Sequence, residues 1–275
     1  GLAVPDPQAF TTFAEFQRIF GPAFAVVQAR PGNLCRTVRE IVEDAAADGA
    51  VWVQPHFNPI VYAVTGSPEH VLEAVIEAGR DEGSRLGVGF GLTMAVQRHQ
   101  GPEAAVSLAR MAARYADHGV YALGLTGDEL SFPAEPFAEA FAIARDAGLT
   151  AAPHAGELAG PESVRAAVEV LGATRIAHGI TAARDPRLMD LLAERGVGLD
   201  VCLTSNRRLG VVTDLREHSL TTLLDAGIRC TLGTDDPLMF GASLVDEYEI
   251  ARDVLGLDDE RLAAIARSSV DAAHL

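Results

Sequence analysis

Short apolar runs alternate along this chain with longer stretches in which apolar residues recur every three or four positions. The runs Ala50–Gln54, Leu86–Leu92, Val120–Leu125, Thr150–His154, Arg175–His178, Gly198–Cys202 and Arg229–Gly233 read as strands. The segments Glu103–His118, Pro136–Ala147, Pro161–Leu171, Arg187–Arg195 and Leu220–Ala226 read as helices. Strand alternating with helix predicts βαβ units around a buried parallel sheet. Gly148, Gly172, Gly196 and Gly227 each stand just before a strand, where a glycine cap ends a helix. The pattern predicts an α/β fold of the TIM (β/α)8 barrel type. The strands number seven, whereas a closed barrel has eight. Residues before Ala50 read as helix and loop, with Phe10, Phe13, Phe16 and Phe20 at helical spacing. The expectation is therefore a first strand lying before Gly1, and a barrel with an open edge where it belongs. With no repeat and no Pro/Ser-rich linker, residues 1–275 read as a single domain.

Acidic residues outnumber basic ones to give a formal net charge of −16. That balance argues against a nucleic-acid or anionic-membrane partner, since both need clustered Lys and Arg. No apolar run approaches the roughly 20 residues of a membrane span. Cys35, Cys202 and Cys230 are widely spaced and form no Cys-x-x-Cys pair. They suggest neither a disulfide framework nor a thiolate zinc site, and fit a cytoplasmic protein.

The reactive residue types gather at the C-terminal ends of the last four strands. His154 and Glu157 follow one, His178 ends the next, Cys202–Asn206 ends the third, and Asp235 and Asp236 follow the last. In a β/α barrel those ends share one face, where active sites form. Taken singly, His154 reads as a core histidine, Glu157 as a first-turn helix carboxylate, and Asp235–Asp236 as an N-cap pair. Taken together, ionisable groups at one end of successive buried strands must be paired or bind a metal. They make a metal-plus-acid/base constellation.

His-Ala-Gly-Glu (154–157), Ala-His-Gly (177–179), Cys-Leu-Thr-Ser-Asn (202–206) and Gly-Thr-Asp-Asp-Pro (233–237) stand in the order and spacing of the adenosine deaminase family. Thr-Gly-Asp-Glu (126–129) resembles that family's substrate-contact loop. The resemblance runs from about Thr12 to the end. It implies a hydrolase acting on a cyclic amidine C–N bond, with a small aminopurine as substrate and one zinc ion per chain. His154 and Asp235 would hold the metal, with Asp235 also orienting the attacking water. Glu157 would protonate ring N1. His178 would act as base towards the water or stabilise the hydroxide formed from it. Asp236 would meet ring N7, and the backbone of Gly127 would meet N3. The His-x-Glu and Pro-Cys-x-x-Cys signature of nucleic-acid base deaminases is absent.

Two departures stand out. The family's His-x-His pair is not found: the other histidines are His56, His70, His99, His118, His218 and His274, with no such spacing. Its expected place is the strand before Gly1. Many members also carry an acidic residue where Gly124 stands, and a Glu-x-Arg-Phe where this chain reads Gln54-Pro55-His56-Phe57. These changes leave the chemistry and open the choice of substrate. His56 reads either as a substrate contact or as a packing histidine. Two alternatives stand beside deamination: a purine-binding member without turnover, and a metal-dependent amidohydrolase with another substrate. A homo-oligomer is left open, because Leu188, Leu191 and Leu192 read first as helix core.

Overall fold

The computed structural model describes residues 10–273. His274 therefore lies outside the described residues, as do the first nine. Ten short strands run β1 (Trp52–Val53), β2 (His56–Phe57), β3 (Gly89–Phe90), β4 (Leu92–Gln97), β5 (Val120–Thr126), β6 (Thr150–Ala151), β7 (His154–Ala155), β8 (Arg175–His178), β9 (Gly198–Val201) and β10 (Cys230–Leu232). Every pairing is parallel: β1 with β3, then β2-β4-β5-β6, then β7-β8-β9-β10.

Three pairs of these strands are single passages interrupted in the middle. Pro55 divides β1 from β2, Gly91 divides β3 from β4, and Pro153 divides β6 from β7. Proline has no N–H for the ladder but keeps its carbonyl. Pro55 O accepts from Thr93 N at 3.0 Å and Pro153 O accepts from Ala177 N at 3.0 Å. Ala152 N also donates to Leu123 O at 2.9 Å, so one array runs from β5 through β6 and β7 to β8. The seven expected strand positions are thus all strands, joined as neighbours in chain order. The array's ends are β2 and β10, and among the described residues no ladder joins them.

Helices separate the passages: Pro68–Leu86, Gly101–Arg114, Ala138–Asp146, Pro161–Glu169, Pro186–Arg195 and Leu220–Asp225. Strand and helix alternating around a parallel array is the TIM-barrel architecture. Two apolar clusters fill the space between strands and helices, one against β2–β6 and one against β7–β10. Gly148, Gly172, Gly196 and Gly227 all have positive φ, between 63° and 83°, as their placement before strands requires. The phenylalanine spacing near the start does form a helix, Phe13–Gln28, preceded by Phe10. Phe10 and Phe16 pack on Phe240, just beyond the last strand. Among the described residues no helix is long and apolar enough to cross a membrane.

Boundaries differ where backbone rules override apolar runs. Leu86 belongs to the helix Pro68–Leu86, ended by Gly87 at φ +75°, and the strand passage extends past Leu92 to Gln97. The helix expected at Glu103–His118 ends at Arg114, because the chain turns at Asp117 and Gly119, both at positive φ.

Candidate active site

His154, Glu157, His178 and Asp235 come together at the C-terminal end of the array. The ring centroids of His154 and His178 lie 5.1 Å apart. His178 Nε2 lies 3.6 Å from Glu157 Oε2 and 3.9 Å from Asp235 Oδ2. Asp236 adjoins Asp235 and heads the short helix Pro237–Phe240. Gly127 follows β5 at the same end, with φ +101°; a Cβ there would meet nothing nearer than Arg98 N at 3.9 Å.

Backbone strain concentrates here. Three non-glycine residues among those described have positive φ, and two are His178 (+67°) and Asp235 (+57°). Such a conformation costs about 1–2 kcal/mol per residue and persists only where surroundings enforce it, commonly at functional sites. The turn after His154 has the same character. Gly156 sits at φ +65°, and a Cβ there would fall 2.3 Å from Val164 Cγ2 and 2.6 Å from Thr181 Oγ1. Glycine at this position lets the chain drop Glu157 back into the site.

Burial sets the electrostatics. Glu157 is 6% exposed, and its pKa is pushed up to about 7. Desolvation is the main cause; the Asp235 and Glu129 carboxylates add to it against the pull of His178. For His178, burial favours the neutral ring, but the carboxylates of Glu157 and Asp235 outweigh it and raise the pKa. Asp236 is pushed well above the usual carboxylate range by burial and then by the Asp235 charge. His154 is held well below the usual histidine value by burial, His56 and His178, so it is a neutral imidazole.

A neutral imidazole such as His154 and a carboxylate such as Asp235 are donor types that a divalent transition metal takes. One further observation fits it: His154 Nδ1 is buried with no hydrogen-bond partner. Buried polar atoms are nearly always paired, and an unpaired one calls for an ion or a role. Among the described residues, the ligand atoms that come within 4.8 Å of one another as a group are those of His178, Cys202 and Asp235, without His154. Cys202 is the less suited of these, because burial and the neighbouring Asp235 push its thiol well above the usual range. A protonated thiol is not a ligand.

For His56, open between substrate contact and packing, and for Glu129, Arg98 and Ser205, given no role of their own above, the structure adds surroundings that the sequence did not show. His56 meets the His154 ring edge-on at 5.1 Å, which places it at the site. His56 itself stands exposed to solvent. A Cβ on Gly124 would lie 2.9 Å from the His56 ring, so the two departures noted at these positions are in contact. Glu129, buried under the loop, accepts from Gly156 N (3.0 Å), Glu157 N (3.3 Å), Ala159 N (3.1 Å) and Ser163 Oγ (3.2 Å). Arg98, fully buried, donates to His154 O and Phe132 O at 2.7 Å each. Ser205 Oγ donates to Asp235 Oδ2 at 2.6 Å.

Comparison with known proteins points the same way. The adenosine deaminase family model matches residues 5–275. A putative adenosine/adenine deaminase of Streptomyces coelicolor is 43% identical over 256 residues, 93% of this chain and 74% of the relative. Among solved structures, adenine deaminase from Arthrobacter aurescens superposes with a TM-score of 0.89 at 27% identity, covering 98% of this chain and 82% of that one. An amidohydrolase from Burkholderia ambifaria, solved with bound zinc, superposes at 0.85 with 27% identity, covering 94% and 73%.

Proposed function

The chain belongs to the adenosine deaminase family, and from that membership we propose that its buried Glu157 is the proton donor of a hydrolytic purine deamination. The overall reaction is hydrolysis of the exocyclic C–N bond of an adenosine-like purine with release of ammonia. The observation that carries the role of Glu157 is its environment: a buried carboxyl with pKa near 7, 3.6 Å from His178.

Water adds at C6 only if the ring accepts the displaced electron pair, and that pair ends on N1. A carboxyl still holding its proton at neutral pH can deliver it there. The C6–O bond forms as N1 gains the Glu157 proton; the first proton lost by the water ends on the amino group, which leaves as ammonia as the C6–N bond breaks, and the remaining hydroxyl proton returns to Glu157 as C6=O forms. His178 faces the attacking water, taking its proton or holding the hydroxide by a hydrogen bond. Asp236, whose carboxyl is raised above the usual range by burial and the Asp235 charge, hydrogen-bonds to N7. The backbone of Gly127 meets N3. His154 and Asp235 would hold a divalent metal, which we take to be zinc. When bound, such a metal supplies Lewis acidity that brings the pKa of water from 15.7 to about 7.

The test is turnover. Metal-loaded protein should release ammonia from adenosine, deoxyadenosine, adenine or an N6-substituted aminopurine, followed by loss of the amino group. No turnover of any of them would favour a binding protein without catalysis.

The pH profile follows from the pKa of Glu157. Its proton is in place below about pH 7 and leaves above it. We therefore expect kcat/KM to fall as pH rises through about 7. The residual activity of Glu157→Gln, which has no proton to lose, should lack that limb.

Metal retention tests the other half of the site. His154→Ala removes a neutral nitrogen ligand, and catalytic zinc sites rest on about three protein ligands. Zinc that survives dialysis in the parent protein should be absent from His154→Ala, as read by elemental content. Equal zinc in both would move the metal to other residues.

A further inference from the structure

The Cys202–Asn206 segment has no reacting atom assigned to it, yet it is built with care. Glu247, wholly buried, accepts from Leu203 N at 2.6 Å and Thr204 N at 3.1 Å, pinning the first turn of the helix Leu203–Arg208. That holds Asn206, also wholly buried, between two imidazoles. Its Nδ2 lies 3.2 Å from His178 Nδ1, and its Oδ1 lies 3.2 Å from His218 Nε2. His218 Nδ1 in turn lies 3.1 Å from the backbone nitrogen of Leu220.

One fixed donor orients the whole chain of bonds. The Leu220 N–H can only donate, so His218 Nδ1 carries a lone pair. The neutral ring then bears its proton on Nε2, which donates to Asn206 Oδ1. Burial keeps His218 neutral, with a pKa lowered to about 4. The other end of the Asn206 amide is its NH2 group, and that end donates to His178 Nδ1. The remaining proton of a neutral His178 is therefore on Nε2, the atom facing Glu157 and Asp235.

We propose that His218 and Asn206 are positioning residues that hold His178 in its Nε2–H tautomer, so that it meets the nucleophilic oxygen as a hydrogen-bond donor. This rests on the reading that His178 faces the attacking water, and it decides between the two roles open to that residue. A ring whose Nε2 already carries hydrogen holds a hydroxide and does not take a proton from water. Neither His218 nor Asn206 touches substrate; each acts through His178.

The tautomer can be read without substrate, which separates this proposal from the deamination itself. In metal-loaded protein labelled with 15N-histidine, at alkaline pH, His178 should show a pyrrole-type Nε2 and a pyridine-type Nδ1. His178→Gln assigns the signals. Asn206→Asp keeps the shape but presents an acceptor to Nδ1. It should move the proton to Nδ1 and lower kcat by about 10²-fold, with KM changed less than about threefold. His218→Phe frees the Asn206 amide to flip and should give mixed tautomers and at least about a tenfold loss in kcat. His218→Gln retains a donor towards Asn206 Oδ1 and should restore the Nε2–H form and most of the activity. A parent protein with its proton on Nδ1 would overturn the proposal whether or not the variants fold. So would folded Asn206→Asp or His218→Phe in which the His178 tautomer is unchanged.

Discussion

Glu157→Gln is expected to lower kcat by about 10²–10⁴-fold, the usual worth of a positioned general acid, while substrate binding changes little. The amide has nearly the same volume and keeps a hydrogen-bond donor towards N1, so the ground-state complex survives. It has no acidic proton to transfer as C6 is attacked. An interaction made only in the transition state lowers kcat and kcat/KM together and leaves KM alone. Burial sharpens the distinction. At 6% exposure, the position admits little solvent to replace the lost proton source. The variant should also be no less stable than the parent, since a buried carboxyl whose pKa is raised to about 7 is partly ionised at neutral pH and costs desolvation energy. A variant that loses KM and kcat in equal measure, or that keeps full activity, would remove Glu157 from the acid role.

The sequence made the strand positions legible because buried parallel strands are written in consecutive apolar residues, and the last four were each followed by a reactive side chain. What it concealed was of two kinds. Interruptions came from Pro55 and Pro153, which sit inside passages that apolar content alone would make continuous. Their carbonyls remain in the ladder, so the array survives a residue that usually argues against a strand. The other hidden features were acceptors for backbone N–H groups. Glu129 lay within a motif read for its glycine, and Glu247 lay in no motif; both are buried and bind main chain far away in sequence. Main-chain donors leave no trace in residue type, so no spacing rule could have matched them with their carboxylates. His218 was noted only for failing to form a His-x-His pair, and its link to His178 runs through Asn206 and closes only in three dimensions. The departures at His56 and Gly124 were visible separately. Their contact was not, because they stand on strands β2 and β5 with β4 between them.

Glu129→Ala is expected to be among the most destabilising single substitutions in the chain, and to disable the site without touching a reacting atom. The Glu129 carboxylate is 5% exposed and accepts from three backbone N–H groups and one hydroxyl. Those N–H groups belong to Gly156, Glu157 and Ala159, the turn that delivers Glu157. Each buried donor left without an acceptor costs about 1–3 kcal/mol. Water entering the space recovers part of this, so a net loss of about 3 kcal/mol is the expectation for three such donors. For a chain somewhat above 250 residues, each kcal/mol lowers Tm by roughly 2–4 °C, which makes the drop about 6–12 °C. The Gly156 turn, already at φ +65°, then loses the contact that enforces it, and Glu157 loses its placement towards N1. Activity should fall well below the parent even at temperatures where the variant is folded. Glu129→Gln separates charge from shape. Its amide oxygen still accepts from the turn, while its NH2 group is set against one of the N–H donors, so both Tm and kcat should fall between parent and Glu129→Ala. A Glu129→Ala protein that melts with the parent would mean that the turn after His154 holds its own shape.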